Sequence, residues 1–143
     1  MLARLLTSTL MLALVAGYTS PAFADDNKTP GHTYAIIVGV GEFKDEQLKP
    51  RKTAVADAQA LYDLMLNKEY VGSPPTDLHL LISGADEKRM AKEGTKANIL
   101  AAIADVAKKA DKNDTLLLFM IGQGASAGDK TCYFATDIYN ASF

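Results

Sequence analysis

Three unbroken apolar runs, YAIIVGV (34–40), LHLLIS (78–83) and TLLLFMI (115–121), set the tightest limit on what this chain folds into. They do not alternate with polar residues, which is the pattern of strands covered on both faces. Such strands need a layer above and a layer below, and the segments between them supply both. In TAVADAQALYDLMLNK, Val55, Ala58, Leu61, Tyr62, Met65 and Leu66 recur at helical spacing; in TKANILAAIADVAKKA, Ile99, Ile103, Val106 and Ala110 do the same. The spacing predicts two amphipathic helices, with Thr53 and Thr95 as N-caps and Lys108 and Lys109 at the negative end of the second. Strand, helix, strand, helix, strand implies right-handed crossovers onto a mainly parallel sheet: an α/β domain built as a three-layer sandwich.

A fourth apolar piece, CYFATD (132–137), follows the GASAGDK loop (124–130), and the chain ends soon after at Phe143. Three or four strands with two helices make a half-covered sheet. The expectation is therefore the first part of a larger domain, incomplete at the C-terminus, whose unfinished sheet edge is a template for strand addition.

The first 24 residues read differently. One basic residue, Arg4, precedes an apolar stretch from Leu5 to Val15 and a small-x-small ending, Ala22-Phe23-Ala24, the order of a secretory signal peptide. A membrane anchor needs about 20 consecutive apolar residues, and Thr7, Ser8 and Thr9 dilute this one. The expected division is signal peptide 1–24, polar tether 25–33 (DDNKTPGHT) and domain 34–143, with export to the periplasm or beyond and no stable anchor after cleavage.

Charge and cysteine content exclude several functions. Loss of Arg4 leaves 14 basic and 17 acidic residues, and no Lys/Arg run carries interleaved aromatics, so nucleic-acid binding has no electrostatic footprint. Cys132 is the only cysteine, which excludes an intrachain disulfide and a cysteine-based metal cage. Of the two histidines, His79 reads as a strand residue hydrogen-bonded at an edge and His32 as part of the tether; neither has zinc-ligand spacing. Asp129 and Asp137 read as solvated loop carboxylates rather than calcium ligands. Gly39-Val40-Gly41 lacks the third glycine of a dinucleotide loop, and Pro50 precedes the next helix, so no nucleotide cofactor or metal is expected. Asn140-Ala141-Ser142 matches a glycosylation acceptor pattern by chance. Cys132, beside Tyr133 and Phe134, reads as a packed small side chain, since a nucleophilic thiolate needs an adjacent base or positive charge.

The third apolar run stops at Gly122-Gln123-Gly124, where flanking glycines allow a sharp turn and close ligand approach. The order YAIIVGV, Asp57-Ala58, LHLLIS, Thr95-x-x-Asn98-Ile99, ND-TLLLFMIGQGASAGD and Ala135-Thr136-Asp137 resembles the caspase and metacaspase family of cysteine peptidases over residues 34–137. That span is the first half of the family's domain. The resemblance places Gln123 where the family has its catalytic histidine, in a Ser-Gly-His-Gly type turn, and Gly124 where a backbone amide helps hold the oxyanion. The family's nucleophilic cysteine follows a later strand and has no counterpart here; Cys132 lies too early. Arg51, six residues before Asp57, matches an arginine lining the primary specificity pocket of caspases but not of metacaspases; read on its own it is an exposed loop residue beside Lys49 and Lys52.

An imidazole accepts and returns a proton near neutral pH, whereas a carboxamide only donates and accepts hydrogen bonds. Losing general acid–base help costs about 10²- to 10⁴-fold, and nucleophile and base act as a unit. The sequence therefore points to an exported caspase-like domain, inactive as given, that binds a peptide or partner protein. Two alternatives stand beside it: an active cysteine endopeptidase whose nucleophile lies beyond residue 143, and a structural α/β fragment that completes its sheet with a partner chain.

Overall fold

The computed structural model describes residues 31–139. The signal-peptide reading of 1–24, residues 25–30 of the tether and the Asn140-Ala141-Ser142 pattern lie outside the described residues.

In chain order the elements are β1 (Thr33–Gly39), α1 (Ala54–Leu66), β2 (Leu78–Ile82), β3 (Lys92–Glu93), α2 (Lys96–Lys109), β4 (Thr115–Ile121), β5 (Gly124–Ala127) and β6 (Lys130–Tyr133). The main sheet runs β3-β2-β1-β4 with every pair parallel. β1 sits inside it, with Ala35 opposite Leu78 of β2 and Leu117 of β4. Ala35, Ile37, Leu80 and Ile82 pack on one face against Ala58, Tyr62 and Met65 of α1; Tyr34, Ile36, Val38 and Leu81 pack on the other against Ile99, Ala102 and Val106 of α2. This is the three-layer α/β arrangement, and it explains why β1 is buried without a break from Tyr34 to Gly39. Ile36 and Ile37 point to opposite faces and are both fully buried, each contributing roughly 1.5–3 kcal/mol of transfer free energy.

Several local expectations are corrected. Among the described residues β4 is an edge strand with one face uncovered: Leu117, Phe119 and Ile121 pack toward α1, while Leu116, Leu118 and Met120 remain 48%, 47% and 44% exposed. Their register partners Tyr34, Ile36 and Val38 lie under α2, which stops short of β4. The CYFATD segment does not join the main sheet. Cys132 and Tyr133 instead close β6, which pairs antiparallel with β5 as a separate hairpin, because the short turn at Gly128, with its left-handed φ of +65°, folds the chain straight back. The opposite edge is covered by β3, two residues long, which no apolar run announced.

Thr95 caps α2 by accepting from the Asn98 amide at 3.2 Å, but Thr53 has helical dihedrals and makes no side-chain cap. The start of α1 is held instead by the Ala54 amide donating to the Arg51 carbonyl at 3.0 Å. Lys109 pairs with Asp105 at 2.7 Å in the last turns of α2. His79 pairs with Ile36 of β1, while β3 on the other side reaches only Leu81 and Ile82, so His79 lies where β2 is locally an edge; its Nε2 lies 3.1 Å from Asp105 Oδ2 without hydrogen-bond alignment. His32 is anchored rather than tethered. Its Nδ1 is 2.9 Å from the buried Asp77 carboxylate, its amide donates to Asp114 Oδ1 at 2.7 Å, and its ring stacks on Tyr34. The Asp77 hydrogen bond and charge raise its imidazole pKa above the ordinary value.

Candidate functional site

β1 and β4 are neighbours whose carboxyl ends finish together, Gly39 opposite Ile121, and the Val40 amide extends the pairing by donating to the Ile121 carbonyl at 3.0 Å. Ligands of open α/β sheets bind outside the carboxyl ends of the strands. Here the segments leaving those two ends form a cleft of about 360 Å³, lined by Gln47, Leu48, Lys49, Pro50, Arg51 and Gln123. Arg51 and Gln123 are 72 positions apart in the chain, and only the parallel pairing of β1 with β4 brings their connections together.

Backbone bonds hold the loop from β1 to α1. The Lys44 amide donates to Thr136 O at 2.9 Å, Leu48 to Asp45 O at 3.1 Å, and Arg51 to Gly41 O at 2.8 Å. Asp45 is buried, and its carboxylate accepts from the Gln47 amide at 3.0 Å. A Cβ at position 41 would lie 2.6 Å from the Arg51 carbonyl oxygen. The Gly39-Val40-Gly41 sequence thus serves a close crossing of the protein's own backbone.

Gln123 is aimed in the same manner. A Cβ at Gly122 would meet Val40 O and Tyr133 Oη at 2.8 Å, and one at Gly124 would meet Cys132 O at 2.4 Å. Neither glycine has a left-handed φ, so close approach rather than an unusual turn requires them. The Gln123 carbonyl accepts from Phe134 N at 2.9 Å, and the Tyr133 hydroxyl donates to Ile121 O at 2.8 Å. Burial pushes the Tyr133 phenol up to about 12, so it stays protonated and keeps donating at neutral pH. Tyr133 is the residue sequence reasoning missed: its pairing with Gly124 across the β5–β6 hairpin is what places its ring against Gly122.

Among the described residues, neither the Arg51 guanidinium nor the Gln123 carboxamide has a side-chain hydrogen-bond or ion-pair partner. Arg51 offers five donors in a planar fork suited to a carboxylate; Gln123 offers two donors and an acceptor. The cleft lining includes no His, Cys, Asp or Glu. Its side chains offer donors and an acceptor with which to bind and orient a ligand.

The other sequence candidates are placed as follows. Gly124 opens β5 and is exposed beside Gln123. Cys132 lies opposite Ala125 on β6, half-buried, and lines a different, larger groove of about 470 Å³ with Ile99, Leu100, Ala135 and Ile138. That groove is the roomier one, yet its lining carries neither Arg51 nor Gln123. Asp137 accepts from the Lys96 amide at 2.9 Å in the first turn of α2, so it is engaged by the helix start. Among the described residues no cluster of three His, Cys, Asp or Glu could hold a metal ion, and no helix is long and apolar enough to cross a membrane.

A three-layer α/β domain with a polar cleft at the carboxyl ends of neighbouring parallel strands is the class these observations define. Within it, a family profile for the caspase domain matches residues 32–142, and the chain belongs to that family of cysteine peptidases. No curated protein matches the chain.

Proposed function

We propose that this domain binds an extended peptide and does not cleave it, holding an acidic side chain or terminal carboxylate in the Arg51–Gln123 cleft. The observation that carries the reading is that Arg51 and Gln123, both without a side-chain partner among the described residues, line one cleft whose lining includes no His, Cys, Asp or Glu. The resemblance, which sets Gln123 at the family's histidine position, supports the same reading. Arg51 supplies charge and bidentate geometry, while Lys49 adds field.

The test is fluorescence anisotropy with a labelled peptide carrying a central Asp, compared with the same peptide carrying Asn, and mass spectrometry of the mixture after long incubation. The Asp peptide binds about tenfold or more tightly, the difference shrinks with added salt, and no fragments form. Equal binding of the two peptides removes the cleft reading. Fragments whose formation stops on thiol alkylation overturn the non-cleaving reading; the endopeptidase alternative, with its nucleophile beyond residue 143, is tested in a chain extended past that residue, where Gln123→Ala lowers the rate strongly.

A second reading, completion of the sheet by a partner chain, is favoured by the open β4 edge and the exposed Leu116, Leu118 and Met120. Two copies pairing antiparallel through β4 satisfy the edge amides but set both apolar strips side by side on the same uncovered face. The proposed occupant therefore brings a strand together with a covering helix. Sedimentation of the purified chain alone as a soluble monomer at high micromolar concentration speaks against any such need. Export remains a proposal resting on the order of residues 1–24, and N-terminal sequencing of the mature protein tests cleavage after Ala24.

A further inference from the structure

The hydroxyl of Ser83, at the end of β2, uses its full hydrogen-bonding capacity on the loop that leaves β1. Its oxygen accepts from the amides of Gly41 and Glu42, each at 3.1 Å, and it donates to the Glu42 carbonyl at 3.2 Å. One donor and two lone pairs is all a serine hydroxyl has. Ser83 itself is fixed to the sheet, its amide donating to the Gly39 carbonyl at 3.2 Å.

The contact continues toward the cleft in one residue. Gly41, whose amide Ser83 binds, accepts the Arg51 amide on its carbonyl at 2.8 Å, and its α-carbon lies so close to the Arg51 carbonyl that no side chain fits between them. Ser83 thus touches neither Arg51 nor Gln123 and does not line their cleft, yet the backbone that presents Arg51 hangs on the residue it clamps. Gly41 is buried, so water does not readily replace the serine there, whereas Glu42 is exposed. Removing the hydroxyl strands a buried amide, an expense in free energy the loop relieves by shifting.

We propose that Ser83 is a positioning residue: its hydroxyl sets the β1–α1 loop so that the Arg51 guanidinium stands across the cleft from Gln123. This rests on the acidic-peptide reading only for its effect on binding; the loop geometry stands apart from it.

The experiment is amide hydrogen exchange and Asp-peptide anisotropy on the full chain and on Ser83→Ala, Ser83→Thr and Ser83→Val. The Thr and Val variants share a shape and differ in the hydroxyl. In Ser83→Ala and Ser83→Val, the Gly41, Glu42 and Arg51 amides exchange about tenfold or more faster while Ile36 and Val38 in β1 keep their protection. The peptide Kd rises about tenfold in both and returns toward the original value in Ser83→Thr. Unchanged exchange at Gly41 and Arg51 in Ser83→Ala overturns the inference. So does collapse of Ile36 and Val38 protection together with the loop, since the hydroxyl then serves the whole fold. If the original chain binds no Asp peptide, the cleft reading fails, and the exchange comparison still decides the role of Ser83.

Discussion

Arg89 and Arg51 lie in the connections that follow β2 and the neighbouring β1, and the protein uses them in opposite ways. Arg89 donates from Nε and Nη2 to the two oxygens of Asp63 at 2.8 and 2.7 Å, and from Nη1 to Asp86 at 2.7 Å. Asp86 also accepts from Gln59 at 2.8 Å, so the cluster ties α1 to the connection between β2 and β3. The arginine's hydrogen bonds hold the Asp63 and Asp86 carboxyls below their usual range and raise its own pKa. Arg51 has Lys49 and Lys52 as neighbours in sequence and, among the described residues, no carboxylate on its side chain. An arginine whose fork is filled from within is part of the scaffold; one whose fork is empty at a cleft is available to a ligand.

Substitutions at the two positions should separate these roles. Arg51→Ala removes a charge-assisted, bidentate donor, and the Asp-peptide Kd rises about 10- to 100-fold, with the melting temperature unchanged. A fall in melting temperature of the kind expected for Arg89 would erase the contrast. Arg89→Ala does the reverse: thermal unfolding moves to lower temperature by several degrees, while peptide affinity measured well below the transition stays within a factor of two or so. Circular dichroism melts and anisotropy on the same samples check both.

The pH dependence sharpens the comparison further. The Asp63 and Asp86 pKa values are lowered in the fold, so the stability they contribute is fully present above the unfolded value, about 3.9, and is lost as pH falls through the folded values. His32 acts with the opposite sign. Its pKa is raised by Asp77, so its contribution is complete below the unfolded value, about 6.5, and is lost as pH climbs through the folded one. Melting temperature against pH should decline at both ends, and His32→Gln should flatten only the neutral-to-alkaline slope. The smallest effect belongs to Gln123→Ala. It forfeits neutral hydrogen bonds alone, and the peptide Kd rises a few-fold. A loss equal to that of Arg51→Ala would mean the amide, not the guanidinium, anchors the ligand.

Much of this was legible from local pattern. The runs at 34–40, 78–83 and 115–121 lie within a residue of β1, β2 and β4, and the two helical spacings match α1 and α2 closely. Such patterns are visible because side-chain periodicity is imposed by the element itself. β4 shows the limit: its composition is that of a buried strand, but its place in the sheet leaves Leu116, Leu118 and Met120 uncovered. Thr53 has the chemistry of a cap and does not cap, because its backbone is already helical whereas a capping residue is extended.

The sequence by itself determined the layers, the lone cysteine and the glutamine set between glycines at the end of an apolar run. Only the tertiary structure decided that Arg51 shares a cleft with Gln123, that Arg89 is consumed by Asp63 and Asp86, that Tyr133 braces the Gly122 turn, and that Cys132 lines another groove. The reason is physical. Helical and strand periods are written within a dozen residues, whereas strand order, sheet edges and charge pairing depend on contacts between segments distant in the chain, which no local spacing encodes.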